Sequence, residues 1–378
     1  MTIPRYDTHI CLVSAQATPN FIPALDSRFR PKEVILLVSV DMQERARWLE
    51  TVLKQRGIAA WSRPISDPWS VTRTQEEILD VLLKCDGKSV ALNVTGGTKL
   101  MAIAAQDVFR EARKPVFYVH PERNEIVPLF SDDERFVIEE RVKLPDYLSI
   151  HGYRELGRDT REFPARLHIL CEEFIKDVER FAKPLRALNS LAHQAKGSLR
   201  ARLVGRSDDA ERVRELLAKL DRYGLAKVSG DEIVFLDENA RFFANGGWLE
   251  VYVAGVVSDL PDSSHIQDVA RSLKVESAGK ARNEIDVALL VANRLFLIEC
   301  KTKYLNGQGE EGPGAEMLYK LDSLAALGGL NTRGAIVSFQ TLKHADRQRA
   351  KDLGIKIIEG GQLRNLGDHL RNWMMPGG

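Results

Sequence analysis

Asp286, Glu299 and Lys301 are the residues whose types and spacing could do chemistry together. NEIDVALL and LFLIECKTK read as two strands joined by a turn at Ala292-Asn293-Arg294. Side chains alternate along a strand, so Glu299 and Lys301 share a face. Asp286 can meet Glu299 across the ladder. Carboxylates gathered in this way suit Mg²⁺ or Mn²⁺, hard cations that take oxygen ligands and polarise a phosphodiester. In this reading Asp286 and Glu299 hold the metal and the backbone carbonyl of Cys300 is a further ligand. Lys301 orients the attacking water or stabilises charge on the phosphorane. Glu250, one turn into the preceding helix, completes the acidic shell. Glu284 shares the metal or lines the cleft, and Lys303 contacts a substrate phosphate. Tyr319 and Lys320, on the next helix, are weaker candidates. Glu-x-Lys is also common on solvated strands. FLIEC is apolar, however, and a glutamate inside it is costly without a partner.

The elements that must position these residues fall into three parts. Residues 1–150 read as α/β. HICLVSA, VILLVSV, IAAWSRPI, KSVALNVT and PVFYVHP are strands separated by helical patterns, and EIVPLF is a hairpin or edge element. Strands apolar on both faces that alternate with helices favour a mainly parallel sheet covered on both sides. Residues 151–245 read as helix, helix, then a hairpin around Ser229-Gly230-Asp231, the outline of a winged helix. That outline serves packing as readily as nucleic-acid contact. Residues 246–378 start with the helix WLEVYVAGVVSDL and continue with a three-stranded meander that includes 266–276. They end as an α/β core with a mixed sheet.

A second candidate site lies in the N-terminal part. Asn93-Val94-Thr95-Gly96-Gly97-Thr98-Lys99 follows a buried strand and opens a helix. Glycines there allow close approach of a ligand, and a helix N-terminus offers free amides to a phosphate. Thr95, Thr98 and Lys99 add hydroxyls and a charge, beside Gly96 and Gly97. The segment matches neither GxxxxGK[ST] nor GxGxxG. Ser14 to Asn20, read as the loop after the first strand, brings Ser14, Gln16, Thr18 and Asn20 to the same edge, with Ser39 to Gln43 nearby. In parallel sheets ligands bind at the carboxyl ends of the strands.

Bulk properties exclude several classes. No apolar run of 18 residues implies a membrane span, and the start MTIPRYDTH lacks an apolar signal core. Cys11, Cys85, Cys171 and Cys300 form no CxxC pair, so buried free thiols in a reducing, cytoplasmic compartment are expected. With 54 Lys and Arg against 53 Asp and Glu, the chain is not a polybasic wrapper, although a local basic cleft remains open.

Glu250, Asp286 and Glu299-Cys300-Lys301 resemble the signature of the PD-(D/E)xK restriction-endonuclease-like superfamily, with Glu-Ile-Asp in place of Pro-Asp. The strand-NVTGGTK-helix segment resembles the CRISPR-associated Rossmann-fold (CARF) domains. In this order, over nearly the whole chain, the two look like the single-CARF ancillary nucleases of type III CRISPR systems. The resemblance implies an N-terminal Rossmann-like CARF domain, a central winged-helix-like region and a restriction-endonuclease-like α/β domain. It implies a homodimer that binds cyclic tetra-adenylate through Ser14 and the Thr95–Lys99 loop. It further implies Mn²⁺- or Mg²⁺-dependent cleavage of single-stranded RNA, single-stranded DNA or supercoiled DNA in antiviral defence. Two other readings stay open here: a ligand-responsive transcription regulator using the winged helix, and a DNA-repair endonuclease without a nucleotide activator.

Overall fold

The computed structural model describes residues 5–129, 135–203, 208–260, 265–302, 313–325, 328–329 and 332–375. Apolar runs such as EVILLV and VALN form strands buried on both faces in the N-terminal part. Its elements are β1 (Thr8–Leu12), α1 (Thr18–Leu25), β2 (Glu33–Val38), α2 (Gln43–Gln55), β3 (Ala59–Pro64), α3 (Val71–Leu83), β4 (Val90–Asn93), α4 (Lys99–Glu111), β5 (Val116–His120), β6 (Glu125–Leu129) and β7 (Phe136–Val137). They build one sheet in the order β3-β2-β1-β4-β5-β6-β7. The first five strands run parallel, and β6 and β7 add an antiparallel edge. Strand order reverses at β1, which pairs with both β2 and β4, and such a switch point opens a crevice at the strand ends. Helices α1 and α2 cover one face, and α3 and α4 cover the other. The expected mainly parallel α/β sheet is therefore present. The segment after β1 differs from expectation: Thr18–Leu25 is a fully buried helix, not loop. Pro19 in its first turn and Pro23 inside it hide the helical pattern, although proline suits a helix start.

Helix α5 (Leu144–Ile150) and strand β8 (Tyr153–Asp159) lead out of this part. The central part contains α6 (Ala165–Lys176), α7 (Val178–Gln194), β9 (Arg200–Arg202), α8 (Asp208–Arg222), β10 (Ala226–Ser229), β11 (Glu232–Phe235) and α9 (Glu238–Phe242). The hairpin gains β9 as a third strand, in the order β10-β11-β9. The C-terminal part holds α10 (Trp248–Ser258), β12 (Ile266–Ser277), β13 (Arg282–Val291), β14 (Arg294–Lys301), α11 (Pro313–Ala325), β15 (Arg333–Ser338), α12 (His344–Asp352), β16 (Lys356–Glu359) and α13 (Leu366–Met374). Its sheet runs β16-β15-β14-β13-β12-β8, parallel from β14 to β16 and antiparallel elsewhere. Strand β8 was not legible because YRELGRD is charged. It is an edge strand, paired with β12 and held to it by Arg158 on Asp268 (2.8 Å) and by Asp159 on Arg271 (2.8 Å). Cys11, Cys85, Cys171 and Cys300 are buried free thiols, as expected. Among the described residues no helix is long and apolar enough to cross a membrane.

The six-stranded sheet is the centre of the molecule. Ala288, Leu290, Leu295, Leu297 and Ile336 pack in one core with Leu49, Leu53 and Tyr147 from the N-terminal side. Val287, Leu289, Phe296, Ile298 and Val337 pack in another with Phe174, Leu188 and Trp248 on the opposite face. Burying a Leu or Ile side chain contributes about 1.5–3 kcal/mol, so strands covered on both faces are firmly held.

A buried polar joint ties the β13–β14 turn to the N-terminal part. Asn293 takes φ 60°, a left-handed conformation that asparagine tolerates. Its Nδ2 donates to Asn124 Oδ1 (3.2 Å) and to the Glu140 carbonyl (2.9 Å). Its Oδ1 accepts from the Val142 amide (3.2 Å) and from Gln267 Nε2 (2.6 Å). Gln267 Nε2 also donates to the Val142 carbonyl (3.0 Å). Asn124, Gln267 and Asn293 are all buried. The turn was legible in the sequence, but its docking was not. Asn293→Asp keeps the left-handed tolerance and sets a carboxylate against two acceptors. It is expected to cost about 3 kcal/mol in denaturant unfolding. A loss below about 1 kcal/mol would show that the joint does not hold the turn.

Candidate active site and ligand crevice

One pair is missing from the β12–β13 ladder where β12 faces Asp286. On β12, Ala270 and Leu273 point into the same core, and on β13 Ile285 and Ala288 do so. A spacing of three in a structure that alternates by two means that each strand slips phase once. Pairing skips one position there, between Arg271↔Val287 and Leu273↔Ile285. The skipped residues are Ser272, at φ 46°, and Asp286. The Asp286 carboxylate then accepts the Cys300 amide at 2.7 Å, one step beyond the last β13–β14 pair, Val287↔Ile298.

Glu250 arrives from the other face. The chain kinks through Phe243–Gly247, where Gly246 takes φ 107°, and α10 begins at Trp248. A β-carbon at Gly246 would collide with Thr302 Oγ1, which itself accepts from buried Asn189 Nδ2 at 3.0 Å. The start of α10 is thus packed against the end of β14. Glu250 lies in the first turn of α10, where a negative charge suits the helix dipole. Its Oε2 accepts from Ser272 Oγ at 3.1 Å. Burial, then the negative charge of Asp286, pushes Glu250 up to about 8. Burial, then the charge of Glu299, pushes Asp286 up to about 6.

Glu299 is 1 % exposed, and each oxygen meets a lysine: Oε2 meets Lys301 at 3.2 Å and Oε1 meets Lys320 at 3.0 Å. Burial acts to lower the Lys301 pKa, but Glu299 and Asp286 outweigh it and the net shift is upward. Lys320 also donates to the Glu284 carbonyl at 3.0 Å. The structure thus brings Glu250, Asp286, Glu299 and Lys301 into one another's electrostatic field. It adds Lys320, which the sequence ranked low because its reach depends on how α11 packs, and Ser272, which carried no sequence signal. Glu284 is exposed, and its charge also acts on Glu250. Tyr319 is exposed and lies under the Arg349 guanidinium (5.6 Å). Lys303 lies outside the described residues. The Cys300 thiol is buried in the opposite core and pushed well up by burial, while the Cys300 amide faces Asp286. Among the described residues no three His, Cys, Asp or Glu groups are gathered closely enough to hold a metal ion outright. Glu250 and Asp286 form the acidic pair, and Glu299 is turned to the lysines.

In the N-terminal crevice the carboxyl ends of β1 and β4 nearly touch. A β-carbon at Gly96 would collide with the Leu12 carbonyl, and Gly97 takes φ 74°. The Thr95 hydroxyl donates to Asn93 Oδ1 (2.6 Å) and accepts the Val119 amide (2.8 Å). Thr98 caps α4 by accepting the Met101 amide (3.1 Å), and its hydroxyl donates to the Pro68 carbonyl (3.2 Å). Lys99 is exposed at the head of α4. Ser14 Oγ accepts the Gln16 amide (3.3 Å) and closes a tight turn. Thr18 and Asn20 sit buried in α1. Asn20 donates to the Leu12 carbonyl (2.8 Å) and accepts from Asn93 (2.9 Å). The Gln16 side chain lies against Gly329 of the C-terminal part. Ser14, Gly97 and Lys99 therefore stand at the carboxyl ends of β1 and β4, Gly96 is buried against β1, Thr18 and Asn20 serve the framework, and Gln16 lies against Gly329.

Comparison with known proteins agrees with this layout. Residues 8–147 match the family model of the Card1 CARF domain, and residues 237–376 match the Card1-like endonuclease domain. No curated protein matches the chain. A crystal structure of protein VC1899 from Vibrio cholerae is 29% identical, with a TM-score of 0.88, over 98% of this chain and 99% of that one. Can2 from Sulfobacillus thermosulfidooxidans, solved in complex with cyclic tetra-adenylate, is 26% identical with a TM-score of 0.80, over 97% of each chain. A type III CRISPR defence DNA nuclease activated by cyclic oligoadenylate shares the fold, at 19% identity and a TM-score of 0.55, over 93% of this chain and 50% of that one. The chain belongs to the family that joins a Card1 CARF domain to a Card1-like endonuclease domain.

Proposed function

We propose that this protein is a divalent-metal-dependent endonuclease, switched on by cyclic tetra-adenylate and acting as a homodimer on RNA, DNA or both in type III CRISPR defence. The observation that carries the reading is the arrangement of Glu250 and Asp286 as a half-buried acidic pair beside buried Glu299 and the lysines Lys301 and Lys320. A solvated surface would not hold a glutamate at 1 % exposure between two lysines. A transcription regulator would have no use for the set.

The acidic pair fits a hard cation. Glu250 and Asp286 are both pushed up by burial, and the Asp286 charge adds to the rise at Glu250; a divalent ion between them would relieve that cost. Mg²⁺ or Mn²⁺ bound there would supply Lewis-acid polarisation of the scissile phosphate. Lys301 stays protonated and offers its ammonium where charge builds on the phosphorane. Glu299 holds the Lys301 and Lys320 ammonium groups at that edge of the sheet and joins the metal shell if one of its oxygens is released.

In the CARF domain, Ser14, the Gly96-Gly97 turn, Lys99 and the α4 N-terminus offer a polar, positively charged crevice for the phosphates of the activator. The ligand bound by Can2 has that chemistry. Val40, Trp69 and Ile103 of this domain are 64%, 71% and 51% exposed, and burial against a second copy would cover them. The RNA and DNA backbones share the phosphodiester these residues would act on.

Full-length protein incubated with Mn²⁺ and labelled single-stranded RNA, single-stranded DNA and plasmid is expected to cleave only when cyclic tetra-adenylate is added. Glu299→Ala run alongside should be inactive. Equal activity of the two proteins would refute the site, and indifference to the nucleotide would refute the activator. Lys301→Ala is expected to lower kcat by about 10²–10³-fold, the usual loss when a donor to developing charge is removed. Lys99→Ala should raise the activator concentration for half-maximal cleavage by about tenfold, or about 1.4 kcal/mol, and leave the maximal rate intact. An unchanged midpoint would remove Lys99 from the crevice.

A further inference from the structure

Ser272 has a backbone that its residue type does not favour. Among the described residues every other non-glycine residue at positive φ lies in a turn or between elements, whereas Ser272 lies inside β12. Glycine or asparagine would adopt φ 46° at less cost than serine. Left-handed backbone inside an element persists only where the surroundings fix it, and such residues concentrate at functional sites. The surroundings here are specific. Ser272 stands at the skipped pair opposite Asp286, where both strands slip phase. Its side chain is 9% exposed, and its hydroxyl donates to Glu250 Oε2 at 3.1 Å. No other hydrogen bond to the Glu250 carboxylate is present among the described residues, so Oε1 is left without one. Glycine would satisfy the backbone and lose that hydroxyl.

We propose that Ser272 is the positioning residue for Glu250, tying the α10 carboxylate to the broken strand so that it faces Asp286 with one oxygen free for a divalent cation. The inference rests on the metal-dependent reading given above. It assigns the strand break a purpose. The slip at Ser272 turns its hydroxyl toward the face from which α10 approaches, and the slip at Asp286 turns that carboxylate to the same edge. Two acids, one carried by α10 and one by β13, thereby share one place. The serine hydroxyl donates to one oxygen of Glu250, which fixes the carboxylate rotamer before any ion arrives. Hydrogen bonds to metal-ligating carboxylates commonly set affinity in this way, and their loss costs about 10–100-fold.

The test uses full-length Ser272→Gly and Ser272→Ala proteins. Glycine removes the hydroxyl and gives the backbone its preferred residue, while alanine removes the hydroxyl and keeps the backbone preference of serine. Mn²⁺ binding is measured without substrate or activator, from the electron paramagnetic resonance signal of free Mn²⁺, together with the melting temperature. Ser272→Gly is expected to melt at or above the wild-type temperature and to bind Mn²⁺ about tenfold or more weakly. Its activator-dependent cleavage should recover as Mn²⁺ is raised. Ser272→Ala should show the same loss of Mn²⁺ affinity at a lower melting temperature. Wild-type Mn²⁺ affinity in either folded variant would overturn the positioning role and leave the nuclease reading intact. Failure of the wild-type protein to bind Mn²⁺ would overturn both.

Discussion

A carboxylate buried in an apolar strand constrains everything around it. Glu299 sits in β14 between Ile298 and Cys300, and burying a lone charge there would cost several kcal/mol. Two ammonium groups offset that cost, one from its own strand and one from α11. Lys320 must therefore reach Glu299, so α11 must lie against this end of the sheet. Lys301 must stay protonated, and its raised pKa shows that the neighbouring acids hold it so. The same charges that make Glu299 tolerable hold a cationic edge beside the Glu250–Asp286 pair. Truncating either lysine would leave the buried carboxylate undercompensated, so this part of the site and local stability rest on one interaction.

The second constraint is that the sheet is covered on both faces by different parts of the chain. The CARF side shares a core with Leu295 and Leu297, and the central helices share one with Phe296 and Ile298. Alternate residues of a single strand thus report to different partners. Glu250 comes from the central face on α10, and Lys320 comes from the CARF face on α11. They converge where β12 and β13 slip phase. The β13–β14 hairpin also spans the molecule lengthwise, with Asn293 docked among CARF residues at one end and Asp286 and Glu299 at the other. The joint and the shared core bind the CARF domain and the hairpin as a single body. In the proposed activated homodimer, movement would therefore fall to the relation between the two copies, or to α10 and α11, which bring Glu250 and Lys320 to the hairpin.

Much of this was legible in the sequence because it depends on local pattern. The two strands, their turn, and the spacing of Asp286, Glu299 and Lys301 follow from alternation and a turn signal. The alternation of apolar strands with helices gave the CARF sheet, and NVTGGTK marked a strand-to-helix turn whose Gly96 permits contact with Leu12. What was not legible depends on tertiary context. The backbone angle of Ser272 goes with the unpaired position opposite Asp286, which no residue type announces. Lys320 looks like any helical surface lysine until α11 is packed. Thr18 and Asn20 looked like loop hydroxyl and amide donors because two prolines disguise α1, and burial gives them framework roles. Gln16 follows Ser14 in the chain, yet its side chain lies against Gly329, more than three hundred residues away. Charged β8 joins the sheet through ion pairs with β12, which a pattern of apolar alternation does not detect.

The central claim is that two acids, one from α10 and one from β13, meet at the unpaired Ser272–Asp286 position to hold one divalent ion. A crystal grown with Mn²⁺ and measured at a wavelength where manganese scatters anomalously tests it directly. The account predicts an anomalous peak in contact with carboxylate oxygens of both Glu250 and Asp286, at the edge where Glu299 holds Lys301 and Lys320. A peak held elsewhere in the endonuclease domain, or a fully Mn²⁺-dependent protein with no density between those two residues, would contradict it.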